Sequence, residues 1–266
     1  MTEALLYGLL GSSALVLGGA VGAWWQAPAR LTGVLLAFAS GTLISALAFE
    51  LFPEAVHLGG LGVAAGGLAA GAVVFVVVNT ALDARVAAGA GESREIPGPA
   101  PDSLAGAQAG QREKVATASG KAGLGVGLAL LAAVTLDGVP ENLALGVSLL
   151  AEQGGGLALL VAIFASNLPE ALVGAVAMRA GGRSARFAVV LWSVTAVLLT
   201  LAVVAGNQVL AGVDERALGF ALAFAGGAVL ASLADTLMPE AFERGRPWNS
   251  LATAVGFVLS FVLAGG

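Results

Sequence analysis

The chain has 266 residues, of which 58% are hydrophobic and 11% charged, with a formal net charge of −5 at pH 7. A soluble domain carries about 25% charged residues to cover its surface, so this composition, with a mean hydropathy of +0.93, points to lipid as the main solvent. With no cysteine and a single histidine, His57, disulfides, thiolate metal sites and a His-rich metal centre are excluded.

Crossing the hydrocarbon core takes about 20 apolar residues in a helix. Such runs fall at 4–25, 31–56, 60–82, 122–150, 156–178, 185–210, 217–242 and 248–265. They predict an all-α, polytopic membrane protein with eight transmembrane helices. The start, Met1-Thr2-Glu3, lacks the basic residues of a signal peptide and its apolar run is long enough to span, so no cleavable leader is expected. Between the third and fourth runs lies the one long connection, within 84–120. Its Ile96-Pro97-Gly98-Pro99-Ala100-Pro101 stretch reads as a flexible loop. The organisation is therefore helices 1–3 in 1–83, a cytoplasmic loop in 84–120 and helices 4–8 in 121–266, together one membrane domain. Glycine is abundant, at 39 residues, which suits close helix packing in lipid.

Orientation follows from lysine and arginine, which gather on the cytoplasmic side. With both termini outside, eleven of the twelve basic residues fall in inner loops, and Arg216 alone falls outside. The expected location is the cell (plasma or inner) membrane. Residues 38–55, FASGTLISALAFELFPEA, also align without gaps to 224–241, FAGGAVLASLADTLMPEA, with nine identities. These segments lie in helices 2 and 7, which the predicted topology runs in opposite senses. That is the pattern of an inverted repeat, helices 1–3 and 6–8 around helices 4–5.

Four prolines lie inside the spans, and each precedes a glutamate: Pro53-Glu54, Pro140-Glu141, Pro169-Glu170 and Pro239-Glu240. An interior proline frees the carbonyl four residues earlier, here those of Phe49, Leu136, Ala165 and Asp235. A carboxylate beside a freed carbonyl is a group of hard oxygen acceptors suited to a cation. An ionised side chain deep in the bilayer costs at least about 2.5–3.5 kcal/mol, and apart from Arg186 at the very start of the sixth run the spans supply no lysine or arginine to offset it. In the fourth run Asp137 and Glu141 are four apart and share a helix face; in the fifth, Ser166 and Glu170 do so, and Asn167 adds an amide. If the two helices face each other, three carboxylates, a hydroxyl and an amide converge on a divalent ion. The serine and asparagine would otherwise serve as polar glue between helices. Glu50 and Glu54, near the outer end of helix 2, and Asp235 and Glu240, near the inner end of helix 7, are candidate mouths of one pathway. His57 at the outer rim reads as a solvated interfacial residue, and Trp24, Trp25 and Trp248 as interfacial anchors.

The paired motifs DGVPEN (137–142) and SNLPEA (166–171), the eight spans, the loop after helix 3 and the outside termini together resemble the ZIP (Zrt/Irt-like) metal transporter family. The resemblance covers nearly the whole chain. It implies divalent metal movement into the cytoplasm, with helices 1, 4, 5 and 6 sliding against the rest, and metal ligands at Asp137, Glu141, Ser166, Asn167 and Glu170. In that family helix 4 carries a His-Asn-x-Pro-Glu-Gly type motif, and Glu141 and Glu170 would be the acids that bridge two metals. Here Asp137 stands for the leading histidine, Gly138 for the asparagine, and Ser166 for the helix 5 leader, while the span 185–210 has no acid. These departures favour one metal ion over two, and harder ions such as Mn²⁺, Fe²⁺ or Mg²⁺ over Zn²⁺, although oxygen sites also bind zinc. The metal is the substrate, and no organic cofactor or nucleic-acid partner is expected. Small-residue helix faces and the family admit a homodimer. No catalytic pattern points to an enzyme. Two alternatives are a proton-coupled carrier of another solute and a non-transporting membrane protein of the same fold.

Overall fold

In the computed structural model the described residues are 1–25, 27–90, 138–150, 156–180 and 182–263. Among them the regular structure is helical, with no strand. The helices are α1 (Thr2–Trp24), α2 (Ala29–Gly59), α3 (Leu61–Ala90), α4 (138–148), α5 (Leu157–Ala180), α6 (Ala185–Val209), α7 (Glu215–Gly245) and α8 (Asn249–Leu263). Six of them, α1, α2, α3, α5, α6 and α7, are long and apolar enough to cross a bilayer; α8 is a shorter apolar helix. This is the architecture of a multi-pass membrane protein. Its outer faces carry exposed valine and leucine, such as Val73, Val77, Val190, Val197 and Val258, as a lipid solvent requires.

Local chemistry sets the helix ends. The Ser184 hydroxyl accepts from Phe187 N–H at 3.1 Å and starts α6; Asp214 accepts from Ala217 N–H at 3.1 Å and starts α7. Each satisfies one backbone donor that the first turn leaves open. Between α2 and α3 the chain turns at Gly60, where φ is +78°, a conformation that a β-carbon disfavours.

Helices α2 and α7 share a construction. Each has 18 residues of α-helix, a five-residue π turn (Leu47–Leu51; Leu233–Leu237) and eight more residues of α-helix. After each π turn, Phe52 and Met238 donate to the carbonyls of Leu47 and Leu233, five residues back. Pro53 and Pro239 follow immediately. A proline ring clashes with the carbonyl four residues earlier, and the wider turn draws that carbonyl away while the helix continues. In α5 the helix runs through Pro169 without a π turn.

The two long helices cross antiparallel at glycines. A β-carbon at Gly33 would overlap Gly245 N, and one at Gly219 would lie 2.7 Å from the Ala55 carbonyl and 2.8 Å from Gly59 N. Helices α8 and α3 then pack on them by matching crossings. Gly41 and Gly256 sit on the carbonyls of Thr253 and Phe38, and Gly227 and Gly71 sit on those of Leu68 and Phe224. Backbones this close require glycine on the facing turn. Helix α1 packs on α5 through Gly18 and Gly22 against the Leu168 and Leu172 carbonyls, and on α6 through Gly8 and Gly19 against Thr200 and Trp192. Helix α4 packs on α6 through Gly146 and Gly206, and Asn207 Nδ2 donates to the Gly146 carbonyl at 3.2 Å. The described helices thus fall into two groups, α1 with α4, α5 and α6, and α2 with α3, α7 and α8. The groups meet where α5 packs on α2 and α8.

Candidate metal pathway

Glu141 is buried, with 5% of its surface exposed, and lies one turn after Gly138 at the described start of α4. Next to it, Asn142 is wholly buried; its Nδ2 donates to the Gly138 carbonyl at 2.8 Å, and its Oδ1 has no partner among the described residues. A buried acceptor left without a donor costs about 1–3 kcal/mol, so this oxygen is open to a water, a donor or a cation. On α5, Ser166 and Asn167 are buried and Glu170 is half-buried. The Ser166 hydroxyl donates to the Ile163 carbonyl at 3.0 Å, and Asn167 Nδ2 donates across to the Gly11 carbonyl of α1 at 3.3 Å. In this geometry both act as polar glue, one within its helix and one between helices. Helices α4 and α5 meet at their connected ends, where Gly156 lies against Leu145, Ser148 and Leu149. Asp137 lies outside the described residues. Among the described residues no three histidine or acidic side chains form a group that could hold a metal ion.

The four outlying acids occupy separate settings. Glu50, on the π turn of α2, accepts from Leu159 N–H at 3.0 Å and from Gly156 N–H. It therefore caps the N-terminus of α5, where free N–H groups and the helix dipole stabilise a carboxylate. Asp235, at the equivalent π turn of α7, is exposed and accepts from Asn79 Nδ2 of α3 at 2.6 Å. Glu240 pairs with Arg244 one turn on, at 2.8 Å. Glu54 is half-buried and His57 exposed, both on the last turns of α2.

Two partners were not foreseen from sequence. Asn79 breaks the run Val76-Val77-Val78, and a lone amide in an apolar helix is itself a sign of a buried or paired polar group. The cap on Glu50 joins residues 106 and 109 apart and leaves no local trace. A scan against protein-family models finds no match, and a search of curated proteins finds none.

Proposed function

We propose that this chain is a ZIP-like transporter that carries a divalent metal cation into the cytoplasm through an oxygen-rich site between α4 and α5. The observation that carries this reading is Glu141, an acid buried on a proline-containing helix of a membrane protein and followed by the buried Asn142, whose Oδ1 lacks a donor among the described residues. Glu170 supplies the corresponding Pro-Glu on α5. Acids at membrane depth are rare and mark ion pathways and proton relays, and that is the support for a transport role. Asp137, Ser166 and Asn167 complete the proposed ligand set. Ser166 and Asn167 would exchange their present hydrogen bonds for metal.

The proposal extends to topology: eight spans, termini outside, and an inverted repeat. In its support, α2 and α7 match segment by segment and cross antiparallel at paired glycines. The division of the described helices supports a sliding mechanism, with α1, α4, α5 and α6 moving against the other four and the Glu50 cap on α5 bridging the groups. Oxygen ligands favour Mn²⁺, Fe²⁺ or Mg²⁺, with Zn²⁺ also accommodated. In a proton-coupled carrier of another solute, the same acids would instead relay protons.

Heating the purified protein with each of Zn²⁺, Mn²⁺, Fe²⁺, Co²⁺ and Mg²⁺ separates these readings. A metal that binds the folded site raises the unfolding temperature in proportion to the logarithm of its concentration. The transporter reading expects this for at least one ion, with the shift lost in Glu141→Ala. No shift with any ion would favour the proton-coupled reading.

A further inference from the structure

On the outer face of the bundle, α2 and α8 diverge from their glycine crossing and leave an open apolar groove of about 450 Å³. Val34 and Phe38 form one wall, Leu251 and Val255 the other, and Ala252 also lines it. The inner end is closed where Gly41 and Gly256 bring the two backbones together. From Phe38 back to Arg30 is eight residues, so Arg30 stands about 12 Å along the helix from the closed end, one turn beyond the lining residue Val34. At that end stand Trp248, 55% exposed on the groove wall, and two arginines. Arg30 lies one turn before Val34 on the same helix face, and the contact of Gly33 with Gly245 sets that turn beside the 245–248 connection. Arg246 precedes Trp248 by two residues, with its guanidinium stacked 3.9 Å over the Phe242 ring. Among the described residues, neither arginine is in an ion pair.

We propose that this groove is a binding site for an anionic phospholipid, with an acyl chain between α2 and α8 and the phosphate held by Arg30 and Arg246. A stacked guanidinium keeps its N–H edge available, and that fork matches a phosphate. A tryptophan at the groove mouth matches the level of the headgroups, and the apolar walls begin one turn deeper, where the chain must enter. The proposal needs the bilayer setting only and does not depend on metal transport. The twin end of the molecule supplies an internal contrast. Arg216 occupies on α7 the place of Arg30 on α2, but the chain that follows α2 reads Gly60-Leu61-Gly62, with no second cation and no tryptophan.

The test is quenching of Trp248 fluorescence by phospholipids with brominated acyl chains, read as the difference between the full chain and its Trp248→Phe variant in detergent micelles. Brominated phosphatidylglycerol should quench at a several-fold lower mole fraction than brominated phosphatidylcholine. Arg30→Gln and Arg246→Gln should each cut that preference about five-fold, the attraction of one basic side chain to an anionic surface. Arg216→Gln should leave it unchanged. Ala252→Phe, which fills the groove, should weaken quenching by both lipids, and this arm stands even if an arginine variant folds poorly. Equal quenching by the two lipids in the unmodified chain would mean that only bulk lipid touches this face, and would overturn the site. So would protection of Trp248 from both lipids in a particle with the mass of two chains, since a second copy would then cover the groove.

Discussion

Each intramembrane acid needs a partner, and the partners differ. Glu50 has the backbone donors that begin α5, Asp235 has an amide, and Glu240 has an arginine. Compensation of a buried carboxylate is therefore met in part by a helix terminus, which composition alone does not reveal. Next to Glu141 in the chain, Asn142 Oδ1 is buried with no donor among the described residues. The sharpest test at single-residue resolution concerns Asp137, the proposed ligand one turn before Glu141. A carboxylate oxygen favours hard ions, and imidazole nitrogen favours Zn²⁺. Asp137→His should raise the ratio of Zn²⁺ to Mn²⁺ uptake several-fold, even though the lost charge lowers affinity for both. A flat or falling ratio would remove Asp137 from the metal site.

The helices repeat one device, glycine against carbonyl. A β-carbon at Gly41 or Gly227 would overlap the carbonyl oxygen of Thr253 or Leu68, whereas one at Gly62 would meet nothing within 4 Å. Gly41→Ala and Gly227→Ala should each destabilise the folded protein by about 1–3 kcal/mol, the usual cost of overpacking, in a denaturant titration in detergent. Gly62→Ala should be neutral or slightly stabilising, since alanine is the better helix former. Equal effects at all three positions would show that the crossings do not limit packing. At this scale much was legible in the sequence. The apolar runs located the six long helices, because lipid demands continuous apolar stretches. The matching Pro-Glu-Ala endings of 38–55 and 224–241 marked two helices that prove alike in construction. What stayed hidden was specific pairing. In a chain with 39 glycines, nothing local distinguishes Gly41, which touches another backbone, from Gly62, which faces open space. The π turns were also hidden. The prolines predicted freed carbonyls, but whether a helix widens before the proline, as at Pro53, or runs through it, as at Pro169, depends on its neighbours.

For the whole molecule, the eight-span proposal turns on whether the segment that includes α4 crosses the bilayer. Cysteines at Glu3 and at Gly182, both exposed, decide it. With α4 as a span, five crossings separate them and a membrane-impermeant thiol reagent labels them from opposite sides. Without it, four crossings separate them and both label from the same side. The joint between the two helix groups would then carry the motion, with the carboxylates of α4 and α5 on one side of it. The most direct test of the central claim is uptake of divalent metal into proteoliposomes by the unmodified chain and by Glu141→Ala and Glu170→Ala. The account predicts saturable uptake of at least one of Zn²⁺, Mn²⁺, Fe²⁺, Co²⁺ and Mg²⁺, with a loss of at least about 100-fold in either variant while both remain folded, since each removes a charged oxygen ligand from the path. Uptake at the unmodified rate in either variant, or none of any of these ions by the unmodified chain, would contradict it.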